Sequence, residues 1–207
     1  MGIKERRERE KSYVKTTIMN IVRNIVATQG WSGVTIRKIA EEIEYSPPII
    51  YEHFESKEAI LTELKREGYS KLLKIYEKIF KSETDPVEAM ISIGIEAYDF
   101  AIVQLGYSKA LLGLDGIPAT DDSTIQEWND MTALLGEVVS KAIGLQPHQN
   151  FDLHQAVILY RCMLRGILSI YILGRAQDDK ETVHRLIRSG LKNLVDGWKV
   201  QLQGQGF

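Results

Sequence analysis

Gly30-Trp31-Ser32-Gly33-Val34-Thr35-Ile36-Arg37-Lys38-Ile39-Ala40-Glu41-Glu42-Ile43-Glu44-Tyr45-Ser46-Pro47-Pro48-Ile49-Ile50-Tyr51-Glu52-His53-Phe54-Glu55-Ser56-Lys57-Glu58 is the stretch whose reading decides the fold. It contains two short helices, each with its own start signal. Thr35 is placed to cap the first. Ser46 is placed to cap the second, with Pro47 at the first helical position, where a missing N–H costs nothing. The connection between them is too short for anything but a sharp turn. Ile36, Ile39, Ala40, Ile43, Ile50 and Phe54 are spaced to lock the pair onto the helix before it. Arg37, Lys38, Ser46, Pro47 and Pro48 are left pointing outward. A unit of this kind places its second helix in the major groove of DNA while the first crosses the backbone.

Outward from this stretch the pattern is helical almost throughout. Residues 12–29 carry Val14, Ile18, Ile21, Val22, Ile25 and Val26 on one stripe, with Ser12 as the expected N-cap and Gly30 as the stop. Ser56 opens a long helix to about Lys81, and Asp85-Pro86 opens another to about Leu105. A short piece, Tyr107 to Leu112, precedes a Gly-, Pro- and Asp-rich loop at 115–122. Asp122 or Ser123 starts a helix to about Ile143, and two long helices, 152–174 and 179–202, finish the chain. The tail from Gln203 to Gly206 is expected to be disordered. The expected class is all-α, with a three-helix N-terminal domain at 1–56 and a larger helical domain at 57–207.

Charge is divided unevenly. The first 40 residues hold nine basic side chains against three acidic, and the remainder 17 against 25. A basic head on an acidic body suits a nucleic-acid-binding module joined to one that binds none. The single cysteine, Cys162, cannot form an internal disulfide. The charged start lacks the apolar core of a signal peptide, and the apolar run from Ile91 to Leu105 is short and carries Glu96 and Asp99. These features lead us to expect a cytoplasmic protein without a membrane span. His53, His148, His154 and His184 are scattered without metal spacing, and no phosphate loop, nucleophile elbow or dinucleotide fingerprint is present. Neither a metal, a cofactor nor catalysis is expected.

Trp31, Gly33, Thr35, Ile39-Ala40, Ser46, Ile50-Tyr51, His53-Phe54 and Lys57-Glu58 together resemble, in register, the helix-turn-helix pattern of the TetR (tetracycline repressor-like) family. The resemblance covers about the first quarter of the chain. It implies a transcriptional repressor that binds double-stranded DNA at an imperfect palindrome as a homodimer. It also implies roles. Thr35 would meet a phosphate, and Arg37 would reach a guanine edge or a phosphate. Pro47, Pro48 and Ile49 would meet bases by apolar contact, Tyr51, His53 and Lys57 would contact the backbone, and Lys38 and Ser46 are further DNA-contact candidates. Two positions depart from the pattern. Glu44 stands where a turn glycine is usual, and Pro47-Pro48-Ile49 replaces polar or small residues, removing donors from the reading tip. Specificity is expected to lean on thymine methyl groups, Arg37 and DNA shape.

For the body, the resemblance implies a four-helix dimer interface from the last two helices, with Leu159, Met163, Gly166, Ile170, Ile187, Leu191, Leu194 and Trp198 as candidates. It also implies an effector pocket for a small hydrophobic or amphipathic molecule, with Tyr76, Tyr98, Ile102, Tyr107, Trp128, Met131, Leu135, Cys162 and Arg165 as candidates. Arg165 stands where some relatives have a histidine, and it is expected either to pair with Glu96 or Asp99 or to snorkel to the surface. A regulator controlled by a protein partner, or an activator, fits the same residues.

Overall fold

Short polar side chains and glycines set the helix ends in the computed structural model, which describes residues 2–204. The helices are α1 (Ile3–Gln29), α2 (Ile36–Glu42), α3 (Pro47–Tyr51), α4 (Lys57–Ser82), α5 (Pro86–Val103), α6 (Leu105–Leu112), α7 (Gln126–Ile143), α8 (Leu153–Ile172) and α9 (Lys180–Gln203), with no strand among the described residues. Thr35 accepts from the Lys38 amide, Asp152 from Gln155, and Asp179 from Thr182. Gly30 and Gly144, both at positive φ, end α1 and α7.

Three expected boundaries move. The first helix starts at Ile3 rather than near Ser12, whose carbonyl accepts from the Thr16 hydroxyl inside the helix. The Lys, Arg and Glu residues before Ser12 are strong helix formers, a property that apolar periodicity does not register. Asp122–Thr124 forms a separate 3₁₀ turn, so α7 starts only at Gln126. Gln203 closes α9, and of the expected tail Gln205 and Gly206 lie outside the described residues.

The chain forms two compact units, residues 1–68 with 104–121 and residues 69–103 with 122–207. The division falls within α4, and α6 with its following loop joins the N-terminal unit, which a single cut after residue 56 does not anticipate.

In the first unit, the α1 stripe Val14, Ile18, Val22 and Ile25 is buried, as are Ile39, Ile50, Ile60, Leu61 and Leu64. α6 packs on α1 with almost no clearance. A Cβ on Gly106 would sit 2.2 Å from the Arg23 carbonyl oxygen. Around this approach, Arg23 donates to the Tyr107 hydroxyl, which donates to Glu67, both at 2.8 Å. Lys109 Nζ reaches the Ala27 carbonyl and Asp115 at 2.7 Å each, and the Asp115 carbonyl accepts from the Trp31 amide at 3.1 Å.

In the second unit, α5 is apolar on most sides and correspondingly buried through Met90, Ile91, Ile93, Ala97, Phe100 and Ala101. α9 turns one stripe inward: Val183, Ile187, Leu191, Val195, Trp198 and Leu202. Gly94 gives Leu191 its place, since a Cβ there would lie 2.7 Å from Leu191 Cδ1. Tyr160 donates to the Met90 carbonyl at 3.3 Å.

The Gly106 approach is to backbone, which cannot swing aside. Gly106→Ala should therefore lower unfolding free energy by about 2 kcal/mol or more. Gly136→Ala, at a helical position with open space around it, should raise it by about 0.5–1 kcal/mol. Urea denaturation of the two variants checks both signs.

Candidate nucleic-acid interface

The α2–α3 pair is held from beneath by apolar anchors. Ile39 and Ile50 are fully buried, and Phe54 nearly so. Between the helices, the Tyr45 amide bonds to the Ala40 carbonyl at 2.9 Å and the Glu44 amide to the Glu41 carbonyl at 3.1 Å. That pairing ends α2 in a Schellman motif, whose C′ position demands a left-handed residue. Glu44 occupies it with φ 60°. The turn is thus built as a glycine would build it, with a side chain that resists the conformation.

Anchoring of Ile50 leaves the opposite side of α3 bare. Ser46, Pro47 and Pro48 are exposed, Ile49 is half-buried, and Tyr51 is 57% exposed. Ser46 occupies the N-cap position without a side-chain capping bond, so its hydroxyl is not consumed by the helix. Tyr45, 50% exposed, adds a second aromatic beside the same surface. Sequence reasoning passed over Tyr45, although an aromatic in a polar turn is itself a signal.

The basic residues divide into committed and uncommitted ones. Lys57 is half-buried: its ammonium lies 3.1 Å from the Trp31 carbonyl and 4.5 Å over the Trp31 ring, and burial lowers its pKa. It fastens Trp31, at a position where a contact with the DNA backbone was the expectation. Lys38 donates to the Gln29 side chain, and Arg37, 86% exposed, pairs with Glu41 at 2.8 Å, which raises its pKa. The Thr35 hydroxyl caps α2. Lys15 pairs with Glu63 at 2.8 Å and lies over Phe54. Arg66, together with Lys15, holds the Glu63 carboxyl at about 2. His53 is half-buried, and burial followed by the nearby Lys11 charge lowers its pKa.

The effector candidates fall into three groups. Tyr76, Met131 and Leu135 are buried in the second unit. Trp128 stacks under the Arg161 guanidinium (3.8 Å) and against Tyr69 (5.1 Å), whose hydroxyl donates to Asp122 at 2.6 Å. Tyr98 packs edge-on to Tyr171 and His184. Ile102, Cys162 and Arg165 are exposed, and Tyr107 belongs to the first unit, bound to Arg23 and Glu67. Asp99 is held by Lys180 and His184, so it is not the partner expected for Arg165. Among the described residues no cluster of three His, Cys, Asp or Glu is arranged to hold a metal ion.

Of the dimer candidates, Leu159, Gly166 and Ile170 are exposed on α8, while Met163 and Leu194 are half-buried. Ile187, Leu191 and Trp198 are buried within the chain, because the inward stripe of α9 fills the core against α5. Apolar periodicity marks that stripe without saying which surface it meets. Exposed Ile158 on α8, with Leu186 and Val200 on α9, were missed for the same reason.

Residues 10–64, the segment containing α2 and α3, match the family model of bacterial regulatory proteins, tetR family. The chain is 30% identical over 97 residues to the uncharacterized HTH-type transcriptional regulator YobS of Bacillus subtilis, covering 46% of this chain and 49% of that one. It is 29% identical over 124 residues to the HTH-type transcriptional repressor AcnR of Corynebacterium efficiens, covering 59% and 60%. The matches thus span about half to three-fifths of these relatives. The fold extends further. The transcriptional regulator FadR from Bacillus subtilis, solved in complex with stearoyl-CoA, superposes with a TM-score of 0.73 over 88% of this chain and 98% of that one, at 17% identity. A TetR-family transcriptional regulator from Bordetella parapertussis superposes at 0.66 over 86% and 93%, at 17% identity.

The strained C′ position yields a direct expectation. Glu44→Gly should raise unfolding free energy by roughly 0.5–1 kcal/mol, and Glu44→Val should lower it by about 1 kcal/mol or more. Equal melting of the glycine variant and the wild type would show that Glu44 carries no strain.

Proposed function

We propose that the chain is a sequence-specific DNA-binding repressor that reads a two-fold operator as a homodimer and is released by a small hydrophobic or amphipathic effector. The observation that carries this reading is the exposed face of α3, from Ser46 to Tyr51, rigidly backed by buried Ile50 and Phe54. The five-residue helix presents apolar rings and Ile49 at its tip, suited to thymine methyl groups, and a phenol at its end, suited to a phosphate. Arg37 reaches DNA by exchanging Glu41 for a phosphate or a guanine edge. The reading is regulatory rather than catalytic, and we place the protein in the cytoplasm with its DNA.

Dimerisation is supported by apolar side chains left outside. α8 by length and composition could cross a bilayer, with a mean hydropathy of 1.3, yet only 28% of that window is buried. Leu159, Gly166, Ile170 and Leu173 form one stripe along it, spaced seven, four and three residues apart. Gly166 and Gly197 have open space around them, which lets a second helix come close, whereas Gly190 is already filled by Met163. A two-fold pairing through α8 and α9 covers this surface and matches a palindromic site.

The effector reading is supported by the second unit's interior, where Tyr76, Trp128, Met131 and Leu135 offer apolar and aromatic surface. The buried Thr132 hydroxyl, which has no hydrogen-bond partner, offers a polar anchor. An effector that binds one conformation better shifts the population toward it.

Selection of the protein against a random duplex pool tests DNA reading, with Tyr51→Ala alongside. An enriched imperfect palindrome, bound roughly tenfold more weakly by the variant, is expected from loss of one phosphate hydrogen bond per half-site. No enriched motif would overturn the reading. Dimerisation has its own test: Leu159→Glu combined with Ile170→Glu should sediment as a monomer with unchanged helicity and lose the palindrome.

A further inference from the structure

α1 carries one continuous stripe whose chemistry changes along its length. Positions 4, 7, 11, 14, 18, 22 and 25 recur at helical spacing on a single face. From Val14 onward the stripe is apolar and buried, through Ile18, Val22 and Ile25. Before Val14 the same face is Lys4, Arg7 and Lys11, all exposed. The face that packs on the unit's core therefore continues as a cationic face, overhanging that core by about 15 Å.

The overhang leaves the unit beside α3. Lys15, one residue after Val14, pairs with Glu63 and lies over Phe54, and Lys11 is close enough to the His53 imidazole to disfavour its protonation. Phe54 and His53 directly follow the exposed Tyr51 end of α3. The stripe thus runs from the α3 end outward. Lys4, Arg7 and Lys11 also differ from the cations at and beside the helix-turn-helix. Lys15, Lys38 and Lys57 are held by Glu63, Gln29 and Trp31, and Arg37 by Glu41. Among the described residues no ion pair or side-chain hydrogen bond engages Lys4, Arg7 or Lys11. Their charge is available to an external polyanion.

We propose that Lys4, Arg7 and Lys11 form a phosphate-binding rail that grips the DNA backbone flanking the bases read by α3. The inference rests on the operator reading above and deepens it. The rail supplies affinity without sequence information, and it lengthens the footprint of each protomer beyond its half-site. A rigid helix holds three charges one turn apart, so the phosphates are met at fixed spacing rather than by a loose tail.

The test compares wild type, the triple variant Lys4→Ala/Arg7→Ala/Lys11→Ala, and the charge-preserving Lys4→Arg/Arg7→Lys/Lys11→Arg. Binding is measured against salt on the selected duplex, on the same duplex trimmed of its flanks, and on an arbitrary duplex. Each phosphate contact contributes about 0.9 to the slope of log affinity against log salt. The triple variant should therefore lose about 2 to 3 units of slope per protomer, keep the same preferred bases and retain its helicity. The swapped variant should match wild type, and trimming the flanks should erase the difference. Equal slopes for wild type and the triple variant would overturn the rail and leave the operator reading intact. A wild type that shows the extra slope on arbitrary duplex yet enriches no motif would sink the operator reading and keep the rail. A triple variant that changes sedimenting mass rather than salt slope would assign the overhang to contact between protomers and overturn the proposal.

Discussion

Gly106 and the carbonyl of Arg23 approach so closely that no side-chain atom fits between them, and the N-terminal unit depends on that approach. With α6 seated there, Tyr107 comes between Arg23 and Glu67, and Lys109 reaches both the end of α1 and Asp115. Asp115 then gives its carbonyl to the Trp31 amide, just where α1 ends and the turn toward α2 begins. Trp31 is fixed from the other side by Lys57. A chain of polar contacts thus leads from α6 to the base of the helix-turn-helix, and its links through Tyr107, Arg23, Glu67, Lys109 and Lys57 are buried or half-buried and therefore costly to leave unmade.

α3 was legible in the residues because its signals are local. Caps, proline at the first turn and apolar spacing are properties of adjacent positions, and Thr35, Pro47, Ile50 and Phe54 behave as those rules require. Glu44 was legible too, as a side chain in a glycine position, and it adopts the left-handed backbone of that position. Charge is less legible. A basic residue near a helix-turn-helix has no mark that says which side chains it meets, and the contact of Lys57 with Trp31 had no signal in the sequence. The α6 segment gave no warning at all. Arg23 and Tyr107 are 84 positions apart, and nothing near either names the other.

In the second unit, periodicity located the stripes but not their partners. α9 has the strongest separation of apolar and polar faces, and that stripe fills the unit's core, although Leu186 and Val200 stay outside. α8 has weaker separation, being apolar on more than one side, and it leaves Ile158, Leu159 and Ile170 outside. A sharply one-sided helix is better read as core than one apolar on two sides.

Lys109 gives the N-terminal unit a schedule. α1 has no basic residue in its last turn, so the cation at its negative end comes from 82 positions later. At about 5–20 residues per second, the ribosome supplies that lysine some 4 to 16 seconds after Ala27. Until then the end of α1 lacks that cation and the Trp31 amide lacks its acceptor. The helix-turn-helix therefore gains these contacts only as the middle of the chain emerges, and a nascent fragment truncated before α6 carries the whole motif without the parts that steady it.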